Sequence, residues 1–209
     1  MPSMFRHLAL LVFLVPGLCL GADRSAGKEL YAPCVACHGA VGEGNPKLNS
    51  PAIAGQSEAY ISRQLENFIA GVRGADAGDT GGAQMRPMAM ALPDEKAVVD
   101  VAAFIASLAA PVPETMISGN AEDGSKQYIG KCGACHGGKA EGNDALNSPR
   151  LVSLSDTYIV QQVTNFQNGI RGAHSDDKYG KQMAMMSKLV SAEELNDIVA
   201  FINEIAQQR

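Results

Sequence analysis

The sequence predicts an all-α protein in which one small helical module occurs twice in tandem. Three observations carry that expectation. Shifted by 98 residues, the chain lies on itself: Glu43-Gly44-Asn45 falls on Glu141-Gly142-Asn143, Leu48-Asn49-Ser50-Pro51 on Leu146-Asn147-Ser148-Pro149, and Gly71, Arg73 and Gly74 on Gly169, Arg171 and Gly172. Within each copy, apolar residues recur at the three-and-four spacing of an amphipathic helix. Each copy also holds a Cys-x-x-Cys-His run, Cys34-Val35-Ala36-Cys37-His38 and Cys132-Gly133-Ala134-Cys135-His136. Such a run is an attachment site for c-type haem. Two thiols at this spacing add to the two vinyl groups of one haem, and the next residue sets an imidazole beneath the iron. Two covalently bound haem c groups are therefore expected, one wrapped by each module. A repeat this long in only two copies is a domain duplication; solenoid repeats are shorter and need at least three.

Residues 1–22 are expected to be removed. Met1 to His7 carries one arginine, Leu8 to Leu20 is apolar, Gly21 and Ala22 are small, and polar Asp23-Arg24-Ser25 follows. That order is the order of a secretory signal peptide, and the apolar run is shorter than the roughly 20 residues of a membrane span. Cleavage is expected after Ala22. Two other readings stand beside it: lipidation at Cys19, against which Leu18 occupies the place where a small residue is wanted, and an uncleaved anchor. Cysteine usage agrees with export. Of the five cysteines, Cys19 lies in the leader and the other four belong to the two motifs, so none remains for a disulfide. A redox dithiol or half of a zinc site also uses Cys-x-x-Cys, but neither calls for a histidine directly after both pairs.

The formal net charge is −5, and the acidic excess is spread evenly over the two halves. Without a basic patch or an arginine-rich run, nucleic acid is excluded as an expected partner. The absence of tryptophan and the low aromatic content point to small cores completed by a large flat cofactor.

In the first domain, residues 23–110, a short helix around Lys28 to Tyr31 precedes the first motif. A glycine-rich loop follows. Ser57, a good capping residue, opens a helix on which Tyr60, Ile61, Leu65, Phe68 and Ile69 keep helical spacing until Gly71 ends it. A methionine-bearing loop then leads to a last helix. That helix begins near Pro93, since proline suits a first helical turn, and Val98, Val101, Ala102, Ile105 and Leu108 form its inner face. Residues 111–120, with Pro111, Pro113 and Gly119, read as a semi-extended linker. The second domain, residues 121–209, repeats the plan. A short helix around Lys126 to Ile129 precedes the motif, and Ser155 opens the helix bearing Tyr158, Ile159, Val163 and Phe166, ended by Gly169. Ser191 and Glu194 form a capping box on a last helix whose inner face is Leu195, Ile198, Val199 and Ile202.

The residue opposite the histidine decides whether the iron carries electrons or does chemistry. Methionine there raises the reduction potential and closes the iron. The candidates are Met85, Met88 and Met90 in the first copy and Met183, Met185 and Met186 in the second. The repeat removes Met90, which aligns with Lys188, and Met185, which aligns with Pro87. Met85 with Met183 and Met88 with Met186 remain, both in register. The first pair is preferred, because each member is the first methionine after a Gly-x-Gln step, well ahead of the last helix. Met88 and Met186 are then packing residues, a common use of a flexible thioether. His174 is a rival ligand in the second copy, but its polar surroundings, with Asp176 and Asp177, favour a surface residue.

A ligating histidine commonly hands its other ring N–H to a nearby acceptor. Pro51 and Pro149 each lie 13 residues beyond their histidine and offer such a carbonyl; the alternative is an ordinary loop proline. Arg73 and Arg171 match across the repeat and either pair with haem propionates or serve a helix C-terminus. Tyr60 and Tyr158 are expected to pack rather than relay electrons.

The tandem motifs, the Pro-Ala-Ile-Ala-Gly-Gln stretch at Pro51 to Gln56, the Tyr-Ile-x-x-Gln-Leu pattern at Tyr60 to Leu65 and the Met-x-x-Met pattern at Met85 and Met88 resemble the dihaem cytochrome c4 family. The resemblance covers nearly all of the mature chain. It implies two class I cytochrome c domains packed about a pseudo-twofold axis, with their haem propionates near the interface. It implies single-electron transfer in the bacterial periplasm, towards a haem–copper terminal oxidase. Carried over by motif, the cofactor-binding residues are Cys34, Cys37, Cys132 and Cys135, the iron ligands are His38, Met85, His136 and Met183, and the histidine-orienting carbonyls are those of Pro51 and Pro149. The second copy departs from the pattern at Pro149 to Leu154, where the Ala-Gly-Gln is lost, and at Met183-Ala184-Met185-Met186. The surroundings and potential of its haem are thereby expected to differ.

The leading reading is a periplasmic electron carrier, not an enzyme. Its partners would be redox proteins, a respiratory donor complex and a terminal oxidase or reductase, and it would contact the membrane only through them. The alternative is the haem c electron-accepting subunit of a periplasmic dehydrogenase, such as a flavocytochrome sulfide dehydrogenase. A third, a dihaem enzyme acting on peroxide or a sulfur compound, needs one open iron, and neither module lacks a methionine.

Overall fold

The computed structural model describes residues 21–209. The expected signal peptide, with Cys19, falls on residues outside this range except for Gly21 and Ala22. In the first half, α1 (Arg24–Leu30) is followed by a 3-10 turn and α2 (Val35–His38), then α3 (Glu58–Ile69), α4 (Thr80–Met90) and α5 (Glu95–Ala106). The second half repeats the order with α6 (Ala121–Lys131), α7 (Gly133–His136), α8 (Asp156–Gln167), α9 (Lys178–Ser187) and α10 (Ala192–Gln207). Among the described residues, strand pairing is confined to the isolated bridges Asn45–Ser50 and Asn143–Ser148. The all-α, two-module architecture read from the sequence is the one observed.

Helix starts follow capping chemistry. Ser57 Oγ accepts from Tyr60 N and Ser155 Oγ from Tyr158 N. Ser191 and Glu194 make both bonds of the capping box. The start expected at Pro93 lies slightly later. Asp94 is the cap, its carboxylate accepting from Ala97 N at 2.8 Å, and Pro93 stands just outside the helix. Past the ends of α3 and α8, Gly71 and Gly169 take φ of 73° and 71°, where glycine avoids the Cβ clash.

Each domain is built on one helix crossing, α1 on α5 and α6 on α10. At the crossings, Gly27 meets the Asp100 carbonyl and Gly124 the Asp197 carbonyl so closely that a Cβ would overlap the oxygen. Beside them, tilted aromatic pairs seal the contact, Tyr31 with Phe104 at 5.4 Å and Tyr128 with Phe201 at 5.5 Å between ring centroids. The inner faces of α5 and α10 are buried, at Val98, Val101, Ala102 and Ile105 and at Leu195, Ile198, Val199 and Ile202. Ile69, expected on the inner stripe of α3, is exposed, and Leu108 lies beyond the end of α5.

One expectation is corrected. The methionines stand on helices, α4 and α9, not on loops. Asp79 accepts from Gly82 N at 2.9 Å and Asp177 from Gly180 N at 2.8 Å, so each helix has a buried aspartate cap. Gly81, Gly82 and the internal Pro87 disguise α4, because glycine and proline are poor helix formers.

The segment between the halves, residues 109–120, carries no regular structure and is tied to the second half. Met116 N and Ile117 N donate to Asp156 Oδ2 at 2.7 and 2.8 Å, and Asn203 Nδ2 donates to the same oxygen at 3.0 Å. Asp156 is fully buried. Asp156→Ala would orphan these donors and should cost about 3 kcal/mol, buried donors being expensive to leave unpaired; a denaturant melt of the holoprotein reads this directly.

Reciprocal polar contacts dock the halves. Arg73 donates to Gln64 and Gln162 at 2.7 and 3.3 Å, while Arg171 donates to Gln162 and Gln64 at 2.8 and 2.9 Å. Each arginine thus bonds its own domain's glutamine and the other's. Gln56, at the position where the second copy has lost its glutamine, bonds both backbone groups of Arg150, at 2.8 and 3.1 Å. Its counterpart Leu154 packs into the second core. The departure in the second copy therefore marks a one-sided interdomain clamp.

Candidate functional site

The two Cys-x-x-Cys-His runs fold alike. Each is a single helical turn closed by a glycine at φ near 80°, Gly39 at 81° and Gly137 at 83°. The turn places both cysteines and the histidine on one side: Cys34 and Cys132 are half-buried against their cores, Cys37 and Cys135 are exposed, and none is in a disulfide. His38 and His136 are buried, at 7% and 8% exposure.

The histidines are oriented by prolines. His38 Nδ1 lies 2.9 Å from Pro51 O, and His136 Nδ1 lies 3.0 Å from Pro149 O. A carbonyl oxygen only accepts, so Nδ1 must carry the proton and donate it. Burial lowers both imidazoles from their ordinary range, with the carbonyl contact opposing it. Each ring is therefore held neutral with the Nε2 lone pair free, the form that binds a metal.

Sequence reasoning missed two tyrosines. Tyr31 OH donates to Gly39 O and Tyr128 OH to Gly137 O, each at 2.7 Å, fixing the turn after each motif to the preceding helix. Burial, with lesser repulsion from Cys34, pushes the Tyr31 phenol up to about 12; burial raises Tyr128 in the same way. These tyrosines are 97 residues apart, not 98, because one extra residue precedes Cys132. Aligning on the cysteines hides the match. Tyr128→Phe should cost about 1–3 kcal/mol, since it strands a buried acceptor, and should loosen the turn; thermal melts of the holoprotein check this.

Met85 and Met183 are partly buried and pack against the same cores as Cys34 and Cys132. Met88 and Met186, one turn further along the same helix faces, are 43% and 38% exposed. His174 is exposed and faces Asp176. In the second domain a mainly apolar cavity runs from Cys132, Cys135 and His136 to Met183 and Met186. Three of its wall residues, Tyr60, Arg63 and Gln64, come from the first domain.

The shape and donor set fit haem c. Two thiols, an imidazole, the thioethers of Met183 and Met186 and a set of apolar side chains line one cavity. The polar lining fits the carboxylates: Arg63 and Arg171 line the cavity, and Arg73, which bonds its wall residues Tyr158 and Gln162, has a buried Nε without a hydrogen-bond partner among the described residues. Burial would lower the Arg73 guanidinium, but the contacts with Tyr158 and Tyr60 outweigh it and shift it up. Burial would likewise raise the Tyr158 phenol, which accepts from Arg73 at 3.0 Å, but Arg73 and Arg171 hold it below the usual tyrosine range.

Known proteins agree with this reading. The cytochrome c family model matches residues 25–109 and again 121–206. Cytochrome c4 of Azotobacter vinelandii is 30% identical over 95% of both chains. A thiosulfate dehydrogenase electron acceptor of Thiomonas intermedia is 32% identical, over 82% of this chain and 78% of its own. The solved structure of reduced cytochrome c4 from Pseudomonas stutzeri superposes with a TM-score of 0.67 at 25% identity, over 88% of this chain and 98% of that one. The two motifs account for two covalent haem c groups, and the chain belongs to the dihaem cytochrome c4 family of electron-transfer proteins.

Proposed function

We propose that the protein is a periplasmic carrier that passes single electrons between a respiratory donor and a terminal oxidase or reductase through two closed haem irons. The carrying observation is that each module sets a neutral, carbonyl-oriented histidine and a partly buried methionine against one core. Cys34, Cys37, Cys132 and Cys135 would hold the two groups, and His38, Met85, His136 and Met183 would ligate the irons. Domain limits follow the sequence reading, 23–110 and 121–209 joined by 111–120. Each haem supplies a one-electron iron couple whose potential methionine opposite histidine places high.

The chain's own residues do the rest. Pro51 and Pro149 fix the imidazole tautomer and angle. The apolar walls exclude water, which keeps small the reorganisation that accompanies a change of charge. No helix of the described residues is long and apolar enough to cross a membrane; in this reading the carrier meets the membrane through its partner complexes. A second reading is favoured by the thiosulfate dehydrogenase electron acceptor: the chain accepts electrons from a periplasmic dehydrogenase, as its haem c subunit or docked partner.

The purified holoprotein decides between carrier and enzyme. It should show no turnover with peroxide or thiosulfate alone, and its oxidised spectrum should not change with cyanide. After reduction, membranes containing a terminal oxidase should reoxidise it. Ready cyanide binding to the wild type would overturn the closed-carrier reading. Co-purification with a flavin- or haem-containing dehydrogenase would favour the second.

A further inference from the structure

Besides the one-sided clamp of Gln56 on Arg150, the reciprocal docking of the two domains is broken at one further place. On one side, Arg63 of the first domain donates from both terminal nitrogens to Asn147, at 2.8 Å to Oδ1 and 2.7 Å to the backbone oxygen. At the pseudo-symmetric place, Asn49 meets Gln161, a neutral pair. The guanidinium of Arg63 also lies over two rings, Tyr60 at 5.3 Å and Tyr179 at 4.9 Å to the centroids. Tyr179 OH accepts from Asn147 Nδ2 at 2.9 Å, closing the cluster. Tyr179 too lacks a counterpart, since Gly81 stands at its place in the first copy. Arg63 and Tyr179 thus form one unmatched pair across the interface.

Arg63 and Tyr179 both line the second domain's cavity, together with Cys132, His136 and Met183. The other charges near that wall balance or recur. Lys131 is paired with Glu194 at 2.8 Å. Asp177 has its mate in Asp79, and Arg171 in Arg73. Lys178 lies over the outer part of the Tyr179 cluster at 5.5 Å, but it is exposed and outside the cavity wall. No carboxylate pairs with Arg63 among the described residues. At this place the second site faces a fixed, unneutralised cation where the pseudo-symmetric position holds neutral Gln161, and this cation is delivered by the other domain; Arg86, beside Met85 with Ala184 as its counterpart, is the first domain's own unmatched cation.

We propose that Arg63 is a cross-domain positioning charge of the second haem site, which sets that haem's potential above the value its own domain would give. The inference rests on the two-haem carrier reading. Oxidation of the iron adds a positive charge, and a held guanidinium at the cavity wall disfavours it by Coulomb repulsion in a partly water-excluded place. Hydrogen bonds and stacking on two rings prevent the side chain from swinging away, so the charge acts at a fixed distance. The second haem's potential then depends on domain docking.

The test is a haem-resolved NMR redox titration of the intact holoprotein, in which each haem's methyl resonances follow its own couple. Arg63→Gln should lower the second haem's midpoint, leave the first in place and narrow the gap between them. Arg63→Lys should retain part of the effect. Gln161→Arg should raise the first haem's midpoint, and it reads the same physics even where Arg63→Gln folds poorly. An unchanged second midpoint in Arg63→Gln, or an equal shift of both, overturns the proposal. A wild type with a cyanide-binding, high-spin haem overturns the carrier reading instead, so the two failures are distinguishable.

Discussion

Replacing Met183 with alanine should strip the methionine-to-iron band from one of the two haems, open that iron to cyanide and lower its midpoint. The drop should be a sizeable part of the roughly 0.8 V over which axial ligands set haem potentials. Met85→Ala should do the same to the other haem. Met85 and Met183 pack against the cores that bury Cys34 and Cys132, whereas Met88 and Met186 sit one turn along with 43% and 38% of their surface exposed. Met183 and Met186 both line the second cavity, and Met183 is the one packed against its core. Met186→Ala should therefore leave both bands intact. Loss of a band in Met186→Ala, with Met183→Ala unaffected, would exchange the assignments.

The second large effect is expected at the helix crossing. Gly124→Ala drives a Cβ into the Asp197 carbonyl, and no side-chain rotation can relieve a clash with backbone. Overpacking of this kind costs about 1–3 kcal/mol or more, a large part of a domain's 5–15 kcal/mol. Because α6 leads directly into the second motif, the shift also displaces Cys132. The variant should yield protein with a depleted second haem and a lowered melting temperature. Gly130 supplies the control. It lies on the same helix with open space around it, so Gly130→Ala should stabilise by about 0.5–1 kcal/mol. Equal behaviour of the two variants would remove the crossing from the account.

The parts legible in the sequence are those whose chemistry is local. A cysteine pair and the following histidine are neighbours in the chain, and a serine cap acts within one turn. The duplication made each such signal count twice. What stayed hidden depends on distance or on register. Tyr31 and Tyr128 were masked by a single extra residue before Cys132. Helix α4 was masked by Gly81, Gly82 and Pro87, whose local preferences oppose a helix that Asp79 and packing enforce. The roles of Gln56, Arg63 and Tyr179 require knowing which surfaces meet, and no periodicity encodes that. The broken symmetry at these positions is visible in the aligned copies, but only the interface shows why it is broken.

The central claim is that two closed, histidine–methionine haems make this chain a two-electron store filled one electron at a time. A spectroelectrochemical titration of the intact holoprotein tests it most directly. Two electrons per chain are expected, taken up in two one-electron steps. Both haems should be low-spin throughout, with a methionine-to-iron band for each when oxidised. A titration that stops at one electron, or a haem that is high-spin at any stage, would contradict it.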